Sequence, residues 1–305
     1  MRTEAGDLPS RVGFGGLWVA LPTPFRSDGS LDLPAFSALA RRVVDGGAQG
    51  LVALGSTGEA ATLDDEERDR VIDAALAAAR GVPVLVGSGS NDTRQAVRLT
   101  RRAQASGADG ALVVTPYYNK PTPDGLLAHF SAIAQAAADF PLMVYNVPAR
   151  TGLNLTPDVL ARLWGLPTVV ALKESSGNLA QIDRIARELP AGKTLLAGDD
   201  WIALAAIALG AQGVVSVAGN VATSEMRRLV DAAIADRVSE ARRLHRALSP
   251  LMEALFLESN PVPLKAALAI LGLAGDAVRS PLSRASVETR QRLEGVLAGI
   301  REVAA

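Results

Sequence analysis

Gly50-Leu-Val-Ala-Leu54, then Leu63-Asp-Asp-Glu-Glu-Arg-Asp-Arg-Val-Ile-Asp-Ala-Ala-Leu-Ala-Ala-Ala-Arg-Gly81, then Pro83-Val-Leu-Val86: the reading of this stretch decides the fold. The two outer runs are short and apolar on both parities, as a strand covered on both faces must be. The middle run has the marks of a helix. Acids crowd its first turn, apolar residues recur at helical spacing, and Arg80-Gly81 closes it, in keeping with the helix dipole and a left-handed cap. Strands joined by a helix run parallel, and successive crossovers turn the same right-handed way.

The same unit repeats in both directions. Strand-like runs are Leu17-Trp-Val-Ala-Leu21, Ala111-Leu-Val-Val114, Pro141-Leu-Met-Val-Tyr145, Val169-Val-Ala-Leu172, Thr194-Leu-Leu-Ala197 and Val214-Val-Ser-Val217, each bounded by Gly, Pro or Asn. Helical patterns fall over 92–107, 123–139, 156–165, 178–189 and 224–236. Eight strand–helix units between about residues 17 and 236 have the size of a (β/α)8 TIM barrel. A doubly wound sheet would often carry an early glycine fingerprint, and Gly87-Ser-Gly89-Ser-Asn-Asp92 has only its first two glycines. The expected division is a barrel over 1–237 with a short N-terminal extension. Residues 238–305 then form helices (239–258, 262–273 and 283–304) packed on the barrel or on a neighbouring subunit.

Composition narrows the chemistry. The 305 residues are 49% hydrophobic with 21% charged, and the mean hydropathy is +0.20, too apolar for disorder. Lys and Arg number 31 against 32 Asp and Glu, so no electrostatic footprint for nucleic acid or an anionic membrane exists. Zero cysteines exclude disulfides, thiolate metal sites and cysteine nucleophiles, and two histidines exclude a three-histidine metal site. The N-terminus lacks an apolar targeting segment, and the longest apolar run, Trp201 to Leu209, is half the ~20 residues of a membrane helix. A cytoplasmic, soluble enzyme running on Lys, Tyr, hydroxyls or carboxylates is the expectation.

In such a barrel the reactive groups sit at the C-terminal strand ends. Those ends read Gly55-Ser-Thr-Gly-Glu59, Thr115-Pro-Tyr-Tyr-Asn-Lys120, Tyr145-Asn-Val-Pro-Ala-Arg-Thr-Gly152, Lys173-Glu-Ser-Ser-Gly177, Gly198-Asp-Asp200 and Val217-Ala-Gly-Asn220. All three tyrosines of the chain, Tyr117, Tyr118 and Tyr145, fall on this rim. Lys173 directly follows an apolar run, where burial disfavours its ammonium and would leave a nucleophilic amine able to form a Schiff base with a ketone. Taken alone, a strand-end lysine more often reaches solvent or pairs with a neighbour such as Glu174. Tyr145 is either a packed aromatic or a proton carrier beside that imine. Arg150 is either solvated or a bidentate clamp for a carboxylate. Ser56 and Thr57 either cap the next helix or hold an anion. Asp199 and Asp200 cap the helix expected at Trp201 or, with Glu174, hold Mg²⁺. His129 and His245 lie in helical patterns and read as structural.

Together these segments resemble the dihydrodipicolinate synthase family, which belongs with N-acetylneuraminate lyase among the pyruvate-dependent class I aldolases. Gly55-Ser-Thr-Gly-Glu-Ala-Ala-Thr-Leu63, Thr115-Pro-Tyr-Tyr-Asn-Lys-Pro121, Tyr145 to Gly152 and Lys173-Glu-Ser-Ser-Gly-Asn178 occur in the family's order and spacing, and the likeness runs from about Gly16 to Leu271. The resemblance implies a (β/α)8 fold, a homotetramer of two tight dimers, and no metal or organic cofactor. It implies that Lys173 forms the Schiff base with pyruvate and Tyr145 transfers protons. Ser56 and Tyr118 complete the relay, Tyr118 from across the dimer interface. Thr57 then helps bind the pyruvate carboxylate, Arg150 recognises the carboxylate of aspartate semialdehyde, and Gly198 and Val215 are backbone positions lining the pocket. The implied partners are small molecules: pyruvate and an aldehyde.

Two departures from the family pattern matter. The synthases usually carry Thr-Thr where Ser56-Thr57 stands, and Gly-Ser-Thr-Gly-Glu is also common in sister lyases. A pyruvate-dependent aldolase acting on a sugar acid or hydroxy-oxo acid therefore stays open as an alternative. Lysine-sensitive members use histidines after the second strand and a glutamate after the third. Here those stretches read Asp64-Asp-Glu-Glu-Arg68 and Asn91-Asp-Thr-Arg-Gln95, so weak or absent lysine inhibition is expected.

Overall fold

Eight parallel strands close on themselves in chain order in the computed structural model, which describes residues 13–304. They are β1 (Gly16–Ala20), β2 (Gly50–Ala53), β3 (Val84–Gly87), β4 (Gly110–Val114), β5 (Leu142–Asn146), β6 (Val169–Glu174), β7 (Thr194–Ala197) and β8 (Gly213–Ser216). The eight expected runs are these eight strands. The crossovers carry α1 (Leu33–Asp45), α2 (Asp65–Ala78), α3 (Thr93–Ala105), α4 (Pro123–Ala136), a single turn α5 (Pro148–Thr151), α6 (Pro157–Leu163), α7 (Leu179–Arg187), α8 (Ala203–Ala208) and α9 (Thr223–Ile234). Beyond them lie α10 (Val238–Ala254), α11 (Val262–Ile270) and α12 (Val287–Ala304). The barrel is the expected (β/α)8 architecture.

Local chemistry explains the ends. Asp64 caps α2 by accepting from Glu67 N at 2.8 Å, while the Glu67 carboxylate reaches back to Asp64 N at 3.2 Å. That reciprocal pair satisfies two of the donors a helix start leaves open. Arg80 and Gly81 turn the chain at φ +49° and +88°, the left-handed stop that Arg-Gly announced. The last helix starts at Val287, later than the pattern over 283–304 suggests, because Ser286 accepts from Thr289 N and fixes the cap there. Among the described residues no helix is long and apolar enough to cross a membrane.

Because both faces of each strand are covered, there are two cores. Between sheet and helices lie the branched residues of the outward parity, among them Leu51, Val84, Val144 and Val214 with Val71, Ile72 and Phe130 from the helices. Inside the barrel sit Trp18, Val52, Leu85, Leu112, Met143 and Leu196, with Phe14 stacked on Trp18. Trp18 pairs in register with Gly50, where an added Cβ would come within 2.1 Å of the indole. The glycine is what admits a tryptophan to the barrel floor. The interior is thus filled below the C-terminal rim.

Candidate active site

Pairing between β5 and β6 sets Tyr145 opposite Lys173 and Asn146 opposite Glu174. Alternation along a strand turns the first pair inward and the second outward. Lys173 is 6% exposed, and its Nζ lies 4.2 Å from the centroid of the Tyr145 ring. Behind the lysine, Gly198 leaves the space its side chain occupies. A Cβ at Gly198 would stand 3.0 Å from Lys173 Cε and 1.9 Å from Ser175 Oγ. The alternative reading, a strand-end lysine that reaches solvent or pairs with Glu174, is not what the structure shows. Adjacent residues of a strand face opposite ways, and the Glu174 carboxylate accepts instead from Asn146 Nδ2 at 3.0 and 3.2 Å and from Ser176 N at 2.7 Å. Burial pushes the Glu174 pKa up, opposed by these donors.

A cavity of about 340 Å³ opens above this pair, lined among others by Ser56, Val114, Tyr145, Arg150 and Asn260. Ser56 and Thr57 occupy a 3₁₀ turn after β2 rather than a helix cap, the cap of α2 being Asp64. Ser56 is exposed towards the cavity, whereas Thr57 is 3% exposed. Arg150 stands on α5, exposed, and donates through Nη2 to the carbonyl of Asn260 at 3.0 Å. Val215 lies in β8, wholly buried in the interior core beneath the rim. Tyr118 is placed apart from all of these. It is 88% exposed at φ +70° and does not line the cavity, while its neighbour Tyr117 does.

Asp199 and Asp200 take up neither sequence-based reading. Asp200 accepts from Val217 N at 2.9 Å and Ala218 N at 2.8 Å, pinning the end of β8, and neither residue caps the following turn with its side chain. Glu174, facing outward, belongs to a different set of partners, and among the described residues no three His, Asp or Glu side chains converge as metal ligands. Asp199 remains beside the lysine. Burial raises its pKa to about 6, partly offset by the Lys173 cation. His129 is structural, as expected: its Nδ1 lies 2.9 Å from Thr93 Oγ1, and burial lowers its pKa to about 4.

Sequence reasoning missed Asn260. It is 6% exposed, and its Nδ2 donates to Thr57 Oγ1 at 2.9 Å. The available signal was the run Glu258-Ser-Asn-Pro-Val-Pro263, whose Asn-Pro step marks a break between two helices but does not say what the asparagine touches.

A model of the dihydrodipicolinate synthetase family matches residues 13–299. The chain belongs to the dihydrodipicolinate synthetase family. It is 45% identical over 285 residues to the 4-hydroxy-tetrahydrodipicolinate synthase of Syntrophus aciditrophicus, covering 93% of this chain and 97% of that one. The crystal structure of the dihydrodipicolinate synthase of Aquifex aeolicus superposes with a TM-score of 0.92 at 41% identity, covering 94% and 98% of the two chains. A chloride-inhibited dihydrodipicolinate synthase of Acinetobacter baumannii, solved with pyruvate, matches with a TM-score of 0.92 at 38% identity over 94% and 99%. As a dihydrodipicolinate synthetase family member the chain is an enzyme of the lyase class, and its cavity sits on the catalytic rim of the barrel.

Proposed function

We propose that this chain condenses pyruvate with L-aspartate-4-semialdehyde to 4-hydroxy-tetrahydrodipicolinate, in lysine and diaminopimelate synthesis. The observation that carries the reading is the buried Lys173 amine 4.2 Å over the Tyr145 ring, beside a cavity that Arg150 also lines. The amine adds to the keto carbon of pyruvate and water leaves, giving an iminium that makes the methyl protons acidic. Loss of one such proton gives an enamine, whose carbon attacks the aldehyde. The amino group of the aldehyde substrate then displaces Lys173 from the imine and closes the ring. No external electron sink is needed, because the iminium is one.

Tyr145, Ser56 and Tyr118 carry the protons in this reading, and Thr57 and Arg150 take one carboxylate each. Gly198 and Val215 contribute backbone around the bound pyruvate. The exposed Tyr118 side chain supports a role in a neighbouring subunit's site, and with it the homotetramer of two dimers. A cytoplasmic location is part of the same reading. The names of the relatives and the presence of Arg150 favour the synthase over a sister aldolase acting on a sugar acid.

Borohydride reduction in the presence of pyruvate, followed by peptide mass mapping, tests the chemistry. A reduced pyruvate adduct on Lys173 is expected, and its absence overturns the reading. An acceptor screen then tests the substrate. Turnover with aspartate semialdehyde is expected, whereas cleavage of sugar acids without it would transfer the chain to the sister activity.

A further inference from the structure

The C-terminal segment is not only packing. Asn260 lies between α10 and α11, yet it touches both halves of the site. Its side-chain amide donates to Thr57 Oγ1 at 2.9 Å, and its backbone carbonyl accepts from Arg150 Nη2 at 3.0 Å. The two contacts span 203 and 110 residues of sequence. All three residues are thus held to one another, and Ser259, Asn260 and Pro261 line the cavity beside Arg150.

We infer that Asn260 is a positioning residue that orients the Thr57 hydroxyl as a hydrogen-bond donor to the bound keto acid. A hydroxyl has one proton and two acceptor lone pairs. With an amide N–H occupying one lone pair, the Thr57 proton is turned away from Asn260 and left free for an anionic ligand. The same proton would otherwise be drawn to whatever acceptor lay nearest. A carboxylate at position 260 would be such an acceptor, and would also set a negative charge beside the site of an anion. Among the described residues Asn260 Oδ1 finds no partner although it is buried, so the side chain does not belong to a fully satisfied local network. Its side chain serves the Thr57 contact, while its backbone serves Arg150. Substitution of the side chain therefore separates the two.

This inference rests on the Schiff-base reading above, and the experiment keeps the two apart. In the wild-type protein, borohydride trapping with pyruvate reports on that reading alone. With trapping established, steady-state kinetics of Asn260→Ala should show the KM for pyruvate raised about tenfold, kcat changed less than threefold, and the KM for the aldehyde unchanged within about twofold. Asn260→Asp should raise the pyruvate KM about a hundredfold, because it both captures the Thr57 proton and repels the anion. Thr57→Val should match Asn260→Ala, and the double variant should be no worse than either single, since both remove the same oriented proton. An unchanged pyruvate KM in Asn260→Ala overturns the inference, as does an equal rise in both KM values or an additive double variant. Should Asn260→Asp fail to fold, Asn260→Ala with Thr57→Val still decides the matter.

Discussion

Asp199 follows Gly198 by one residue and shares its surroundings with Lys173, Glu174 and Asp200. Burial lifts its pKa from 3.8 to about 6, with Asp200 and Glu174 pushing the same way and the Lys173 cation opposing them. An acid held this high binds its proton more tightly folded than unfolded. Between about pH 4 and 6 the folded protein keeps a proton that the unfolded chain has lost, so stability falls as pH rises and stays lower above that window. Asp199→Asn should therefore be more stable than the wild type by about 2 kcal/mol near neutral pH and by under about 1 kcal/mol at pH 4. Urea unfolding at the two pH values checks this, and a variant no more stable at neutral pH contradicts it. A group that lowers stability in this way beside a reactive amine is what a functional site contains. Lys173 was legible in the sequence because a cation ending an apolar run conflicts with its setting. Asn260 was not, because its partners are assigned by tertiary contact alone.

At the scale of elements, the site depends on register. The pairing of β5 with β6 brings Tyr145 to Lys173, and one residue further on it brings Asn146 to Glu174 on the outer face, both fully buried. The outer pair, joined by two hydrogen bonds and backed by Ser176 N, locks the inner pair at its height. Glu174→Ala leaves Ser176 N–H without its acceptor and the Asn146 amide with Asn154 Oδ1 alone, at a cost of about 1–3 kcal/mol, and should lower kcat about tenfold or more by loosening Lys173. Glu174→Gln keeps an acceptor and should retain most of both, as thermal unfolding and rate measurements would show. The pattern of short buried runs made the strands and their order readable, while the partner of each polar residue was not, since period-2 alternation gives a face and not a contact. Capping is a second case: Asp64, Asp92 and Asn178 accept from the first turns of α2, α3 and α7, close to the helix starts the sequence suggested. Those starts also bear on regulation. Asp65 is paired with Arg98 and Arg102, Gln95 accepts from Arg98, and Arg68 donates to the Ala60 carbonyl. With arginine and glutamine in these places and no histidine, low-millimolar lysine should leave the initial rate unchanged; a substantial fall would contradict this.

Over the whole molecule, the C-terminal helices are joined to the catalytic rim by one buried ion pair. Lys265 on α11 meets Glu59 of the Gly55-Ser-Thr-Gly-Glu59 loop, with side chains 1% and 2% exposed. The lysine also donates to the Ala277 carbonyl at 2.9 Å and lies 4.1 Å over the Phe25 ring. Glu59 in turn accepts from Arg279 N at 3.0 Å, and Arg279 binds Glu67 and the carbonyls of Gly29 and Thr62. Burial holds the Lys265 pKa down to about 8 against the attraction of Glu59. Both ions have left water, so their mutual attraction mainly offsets desolvation, and removing one partner exposes the full penalty of the other. Glu59→Gln should lower stability by about 3–5 kcal/mol, and Lys265→Met by a similar amount. The double variant Glu59→Gln, Lys265→Met should recover most of the loss, because neither charge is then stranded. Denaturant midpoints of the four proteins give the coupling directly. If the double variant is as unstable as the two losses added, Glu59 and Lys265 act independently and the pair is not the joint. If it recovers, the pair is the joint through which Asn260, five residues before Lys265, is held against Thr57, and the pyruvate KM should rise in each single variant and fall back in the double.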